Sequence, residues 1–483
     1  FYFILLLIQI FSSINNVYRI PFGLYNQKYL ESDSNFINNI FYNRIYLNLS
    51  IGTPPQILPF ELDTKSQTFC ISKDFFDKDK SSSYIQVSRE NYYYNEDIEN
   101  GINSKDILNI DNNNQIINFI LVNKYPYNKK NILGILGLNI PRFVTYGIFP
   151  FFKSLKESNL INSYWWTVKY FDNKSLNEQI IYNKEKDNII GEFIFGEEPD
   201  KYDNYKEKYN EKEFFKINPA STKETIYWGF EFNNIYLTFK DKKDNQNIFF
   251  EKEKKAEIII NFSFIMCPQS FFEFIKENFF SQYISENICS IKKGNSYESY
   301  IECDKSSKFN VVSFPDISFD HIGFETTFKL TYRDLFIVDE KNSKYIFLII
   351  KKDYVTEWSL GTTFLRKFQF AYNEDLKTIG YYRQADQHYE GNINNSTEND
   401  KRNNGENENL REENKSNKVK KIFIVILVII FAFLLFFFGM IFQRKYCNKN
   451  RKIRANELEE NFCYEGKNDN SKKIIEEDNE IKV

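Results

Sequence analysis

The chain has 483 residues, 42% of them hydrophobic, which is enough apolar material for sizeable cores and room for roughly two to four domains. With 63 Lys and Arg against 66 Asp and Glu the net charge is -3, so no overall field recruits nucleic acid or an anionic lipid surface. His321 and His388 are its two histidines, a poor basis for a histidine triad or a zinc site; no metal-ligand spacing or phosphate loop occurs, and no cofactor or metal is expected.

The chain opens on "FYFILLLIQIF" (1–11), followed by Ser12 and Ser13. That run has the length of a signal-peptide core, and 1–16 reads as a signal peptide incomplete at its start. A buried first strand or helix is the alternative. From Tyr42 to about Arg383 short runs rich in Ile, Phe, Tyr and Val are broken by Asn, Asp, Gly and Pro, a mainly β pattern. "FFKSLKESNL" (151–160) and "QSFFEFIKENFFSQYI" (269–284) space apolar residues three and four apart, which predicts helices.

Residues 386–421 hold almost no apolar residue and read as a solvated stalk. "IFIVILVIIFAFLLFFFGMIF" (422–442) is 21 uncharged residues, long enough for a helix to cross a hydrocarbon layer of about 30 Å. Arg444, Lys445, Lys449, Arg451, Lys452 and Arg454 after it outnumber Lys415, Lys418, Lys420 and Lys421 before it, which places 443–483 in the cytosol. The expected topology is single-pass type I, membrane-anchored, with 17–420 in a secretory or extracellular space.

On that topology Cys70, Cys267, Cys289 and Cys303 lie outside, and Cys447 and Cys463 inside. An even outer count in an oxidising space predicts disulfides with three possible connectivities. Cys289 with Cys303 is the pairing chosen, because the two bracket the polar turn "SIKKGNSYESYIE". Glycosylation sequons stand at Asn48, Asn173, Asn261, Asn394, Asn395 and Asn414. Those in apolar runs, Asn48 and Asn261, are expected to be buried and bare.

Several stretches in order resemble the pepsin family of aspartic endopeptidases, peptidase family A1, over residues 43–385. "VYRIPF" (17–22) resembles the start of its pro-segment, and 17–42 is read as pro-segment-like. "YLNLSIGTPPQILPFELDTKSQTFCIS" resembles the strand pair entering the first catalytic loop. "YNEDIENGINSKDIL" resembles the flap hairpin, with Tyr94 at the flap tyrosine, Gly101 at the turn glycine and Asp106 at its aspartate. "LGILGLNIP", "GEFIFGEEPDKY", "YWGFEFNNIYL", "FPDISF" and "WSLGTTFLRKFQFAYNEDLKTIGYY" follow in family order. The resemblance implies a mainly β, bilobal fold with lobes at 43–205 and 206–385 and a central cleft, followed by the C-terminal transmembrane helix.

Each lobe of that family gives one aspartate to a dyad that shares a proton, since two like charges so close cannot both ionise. Asp63 matches the first. The expected Asp-Thr-Gly-Ser reads Asp63-Thr64-Lys65-Ser66, with a long cation where a glycine belongs. Counting back from Pro268 puts the second aspartate at Ile259, in "Ile259-Ile260-Asn261", with Ser263 at a later Ser/Thr position. Glu257, two residues off register, would have to slip the sheet pairing to substitute. Asn95, Glu96 and Asp97 replace the flap glycines, Cys70 a tryptophan and Thr362 an aspartate.

The resemblance with these losses implies a membrane-anchored pseudoprotease that binds an extended peptide or protein in its cleft, with neither nucleic acid nor metal as partner. The alternative is an active aspartic endopeptidase pairing Asp63 with a non-standard second group. A third reading is a structural surface protein whose own side chains fill the cleft. Lys65 is expected to pair with Asp63, or else to extend into an open cleft.

Overall fold

Alternation of apolar and polar side chains sets the first strands of the computed structural model. It describes residues 17–25, 44–88, 100–111, 113–124, 134–140, 150–171, 189–198, 214–220, 226–240, 246–294 and 298–383, all within the first of the chain's two units, Phe1–Gly391. The expected signal peptide, stalk, membrane span and cytosolic tail lie outside the described residues, as do Tyr94 to Asp97, Asn173, Asn394, Asn395, Asn414, Cys447 and Cys463. Among the described residues no helix is long and apolar enough to cross a membrane.

Strand β1 is Tyr18–Tyr25, β2 is Arg44–Ile51, β3 is Gln56–Asp63 and β4 is Phe69–Ser72. In β2 the side chains of Ile45, Leu47, Leu49 and Ile51 turn inward, while Arg44, Tyr46, Asn48 and Ser50 take the other face. In β3, Leu58, Phe60 and Leu62 are buried, and Ile57, Pro59, Glu61 and Asp63 face outward. The two pair antiparallel from Ile51↔Gln56 to Tyr46↔Glu61. Gly52 makes their turn possible: its φ is +98°, and a Cβ there would stand 2.9 Å from the Ser81 hydroxyl.

The alternation corrects one expectation. Asn48 is exposed, because the apolar run around it is a period-two strand and the asparagine falls on the outward phase.

β1 is an inner strand of a 13-stranded sheet, between Ile189–Phe195 and β2. Its register runs from Tyr18↔Phe195 on one side to Tyr25↔Arg44 on the other. The front of the pro-segment-like region is therefore sheet core, with Tyr18 and Phe22 buried. Near the C-terminal end of the described chain, Phe370–Asn373 pairs with Trp165–Tyr170 in the same sheet. Thr378–Tyr382 and then Phe214–Ile217 continue that sheet beyond Phe370–Asn373, and the other strands of the second half form a nine-stranded and a four-stranded sheet. This is the mainly β class expected from the sequence.

Helices form where spacing predicted them, at Phe151–Glu157 and at Gln269–Ile275, the latter continuing through a wider π turn into Ser281–Ser285. They bury Phe151, Phe152 and Leu155, and Phe271, Phe272 and Ile275. Edge-to-face aromatic contacts pack the second half, among them Phe319 on Trp358 at 5.3 Å and Phe328 on Phe368 at 5.0 Å. Cys289 and Cys303 sit opposite each other in an antiparallel pair and are disulfide-bonded, the pairing chosen from the sequence. Cys70 and Cys267 remain as buried thiols.

Candidate functional site

Asp63 ends β3, and its neighbourhood is a four-strand arrangement that occurs twice. In the first half β3 runs parallel to Gly134–Gly137, with Leu62 opposite Leu136 and Asp63 opposite Gly137. β4 returns antiparallel along that strand, Phe69 opposite Leu136, and parallel to Asn113–Lys124. In the second half Lys255–Ile258 runs parallel to Trp358–Leu360, with Ile258 opposite Leu360. Ile265–Cys267 returns antiparallel along it, Ile265 opposite Leu360, and parallel to Ile349–Lys352.

The strand registers of the two arrangements correspond residue by residue. Leu62 matches Ile258, Leu136 matches Leu360 and Phe69 matches Ile265, and the loops between, 63–68 and 259–264, have equal length. The residue in Asp63's place is Ile259. Thr64 then matches Ile260, Lys65 matches Asn261, Ser66 matches Phe262, and Gln67 matches Ser263.

Ile259 is 3% exposed and belongs to an apolar cluster with Phe264, Met266, Ile346 and Ile350. The place opposite Asp63 thus carries a hydrocarbon held by a core of its own. Asp63 is half-buried; its Oδ1 accepts the Lys65 backbone N–H at 2.8 Å, and its carbonyl accepts that of Leu138 at 2.8 Å.

The buried Thr64 hydroxyl donates to the Ile258 carbonyl at 3.0 Å and joins the two loops. The matching bond from the other side cannot form, because Ile260 has no hydroxyl. The Trp228 indole N–H adds a second tie between the halves, donating to the Leu138 carbonyl at 2.6 Å.

Lys65 is half exposed, and its Nζ lies 3.4 Å from Glu257 Oε2. The sequence put this cation on Asp63; the ion pair it makes is with Glu257 on the other half's strand, and the Lys65 backbone N–H is what donates to the Asp63 carboxylate. The matching position repeats the contact in reverse. Asn261 Nδ2 donates to Glu61 Oε1 at 2.8 Å, and Arg44 Nη1 stands 3.3 Å from the same oxygen and 3.5 Å from the Asn261 carbonyl. Glu61 and Glu257 each lie two residues before the equivalent loop positions, and Lys65 and Asn261 two residues after. Strand periodicity puts Glu61 on the outward face with Asp63.

Glu257 keeps the sheet in register, opposite Gly229 and Ser359, and stays two residues short of Ile259. Nearby, the Tyr227 hydroxyl donates to Glu357 at 3.1 Å. Burial first, and then the charges of Glu357, Glu257 and Glu231, push this phenol far up, so it remains a donor.

Ser66 is buried, and its hydroxyl accepts the Thr68 N–H at 3.2 Å. The Ser263 carbonyl accepts the Thr363 hydroxyl at 2.7 Å. The Ser66 hydroxyl thus holds loop backbone, and Ser263 is tied through its carbonyl to Thr363. Asp106 is buried, accepting the Ser83 hydroxyl at 2.5 Å and the Ile107 N–H at 2.7 Å. Among the described residues no group of three or more His, Cys, Asp or Glu could hold a metal ion.

Arg44, Glu61 and Asn261 were not singled out as partners from the sequence. The available signal was the repeated spacing "FELDTK" against "AEIIIN", with Glu two before and a long polar side chain two after in both.

A family model for the eukaryotic aspartyl protease matches residues 45–383. Similar proteins include a renin of Echis ocellatus, 22% identical over 383 residues, covering 74% of this chain and 84% of that protein. A second renin from Echis ocellatus is 23% identical with the same coverage. A renin of Ovis aries is 22% identical over 367 residues, covering 71% and 81%.

Proposed function

The chain belongs to the eukaryotic aspartyl protease family, and from that premise we propose that it is a catalytically inactive, type I membrane-anchored member whose cleft holds an extended peptide or protein segment. The observation that carries this reading is the residue in Asp63's matching place. Peptide hydrolysis by a carboxylate pair needs one group to take a proton from water while the other gives one to the carbonyl oxygen, and shared protonation of two close carboxylates supplies both. Ile259 offers neither donor nor acceptor. Its neighbours make the loss more than a single substitution, since Ile260 lacks the hydroxyl that Thr64 has, and Lys65 and Asn261 fill with side chains the places two residues beyond Asp63 and Ile259.

The span at 422–442 supports the anchor, and the leading apolar run at 1–11 supports entry into the secretory route. The Cys289–Cys303 disulfide fits the oxidising space this would give.

A second reading has one observation in its favour. Glu257 lies two strand residues before Ile259 and is held by Lys65, which also borders Asp63. An active endopeptidase would then pair Asp63 with Glu257. The test is cleavage of a diverse peptide library by the full chain in membranes, from about pH 3 to pH 7, beside Asp63→Ala. No cleavage above the Asp63→Ala control, with peptides retained on the folded protein, is the expected result. Cleavage abolished by both Asp63→Ala and Glu257→Gln would replace the first reading with the second.

A further inference from the structure

We infer that Asn48 is an N-glycosylation site, an inference that rests on the proposed placement of the folded domain in the secretory lumen. Two sequons fall on described residues, Asn48-Leu49-Ser50 and Asn261-Phe262-Ser263. Their surroundings differ in the way that decides whether a sugar fits.

Asn48 is exposed on the outward phase of β2, with Leu49 turned into the core at 3% exposure. Its cross-strand neighbour is Pro59, which has no N–H for a carboxamide to engage. The next pair on that face is Ser50 with Ile57, and Ile57 is 74% exposed, an aliphatic side chain at the surface of an inner strand. A glycan on Asn48 would lie over this isoleucine with the apolar faces of its sugar rings. At Asn261 the acceptor nitrogen itself is engaged, donating to Glu61 at 2.8 Å between the two halves. A sugar there would break that bond and displace Arg44 from both partners.

The transfer is a substitution at the first sugar's anomeric carbon. Asn48 Nδ2 forms the bond to that carbon, the carbon–oxygen bond to a lipid-diphosphate-linked oligosaccharide breaks, the amide gives up one proton, and the lipid diphosphate leaves. Asn48 shares the outward face of the β2–β3 pair with Glu61 and Asp63, so the glycan would stand on the same face of that pair as those two carboxylates.

The test expresses the full chain in a glycosylating eukaryotic cell, treats it with a peptide N-glycosidase and maps the peptides over 44–63 and 255–268 by mass spectrometry. Occupancy is expected at Asn48 and none at Asn261. Asn48→Gln and Ser50→Ala, two changes on the strand surface, should each remove one glycosidase-sensitive mobility step. A bare Asn48 overturns the inference. The Cys289–Cys303 disulfide, read in the same digest, separates the reasons: if it is formed the site has failed, and if it is absent the secretory placement has failed with it.

Discussion

Lys65 and Glu257 form an ion pair from one half of the molecule to the other, 3.4 Å from Nζ to Oε2, and Asn261 with Glu61 makes the corresponding contact in the opposite direction at 2.8 Å. The geometry is that of a two-fold repeat in which the residue two past each loop position meets the residue two before the other. Both contacts lie where the halves meet around Asp63.

The Lys65–Glu257 pair is half in water, with side-chain exposures of 53% and 28%. Screening and the entropy of two long side chains hold such pairs to about 1 kcal/mol or less. Lys65→Met and Glu257→Gln should each shift the unfolding free energy by no more than that, with a coupling in the double-mutant cycle that fades at high salt. A salt-independent coupling above about 2 kcal/mol would mean that the pair is sealed from solvent.

Ile259→Asp tests whether a carboxylate in Asp63's matching place is enough for cleavage. The new carboxylate would enter an apolar cluster with Phe264, Met266 and Ile346, where an unpaired charge is costly. The expected result is a destabilisation of about 3 kcal/mol or more in denaturant titration, and no peptide cleavage. A stable variant that cleaves peptide at acid pH would show that the surrounding loops had kept their catalytic shape.

Thr64 carries the buried hydroxyl bond between the loops. Thr64→Val keeps the volume and leaves the Ile258 carbonyl unpaired, a loss of about 1–3 kcal/mol. Thr64→Ser retains the donor and should lose less. A stable Thr64→Val beside a destabilised Thr64→Ser would assign the effect to the methyl group rather than to the bond.

What was legible in the sequence is what repeats locally. The alternation in "RIYLNLSI" gives β2 and its buried face, the apolar spacing gives the helices at Phe151 and Gln269, and the turn between Cys289 and Cys303 gives the disulfide. Asn48 was misplaced because an apolar run was read as wholly buried, without assigning each residue to one of the strand's two faces. The partner of Lys65 was illegible for a different reason. Sequence likeness set Lys65 beside Asp63 along the chain, but a side chain of that length answers to what the other half presents, and Glu257 becomes its neighbour only when both four-strand arrangements have folded and met. Ile259 could be found by counting; that it sits in a cluster with Ile346 and Ile350 could not.

His321 gives the fold a dependence on pH. It is buried, its Nδ1 accepts the Phe324 N–H at 3.1 Å, and its ring lies 4.4 Å from that of Phe324 and 5.1 Å from that of Phe230. Burial lowers it from its ordinary 6.5 to about 4, because the charged ring would lose its hydration. Between those values the unfolded chain binds more protons than the folded one, so stability is full above about pH 6.5 and is lost as pH falls towards 4. The loss is on the order of 3 kcal/mol when complete. His321→Asn keeps a side-chain acceptor for the Phe324 N–H and removes the titration. Its unfolding free energy, measured by denaturant between pH 7 and pH 4, should fall less steeply than that of the parent by this amount. Parallel curves would show that His321 stays neutral in the unfolded chain or charged in the folded one, and that other groups set the acid limb.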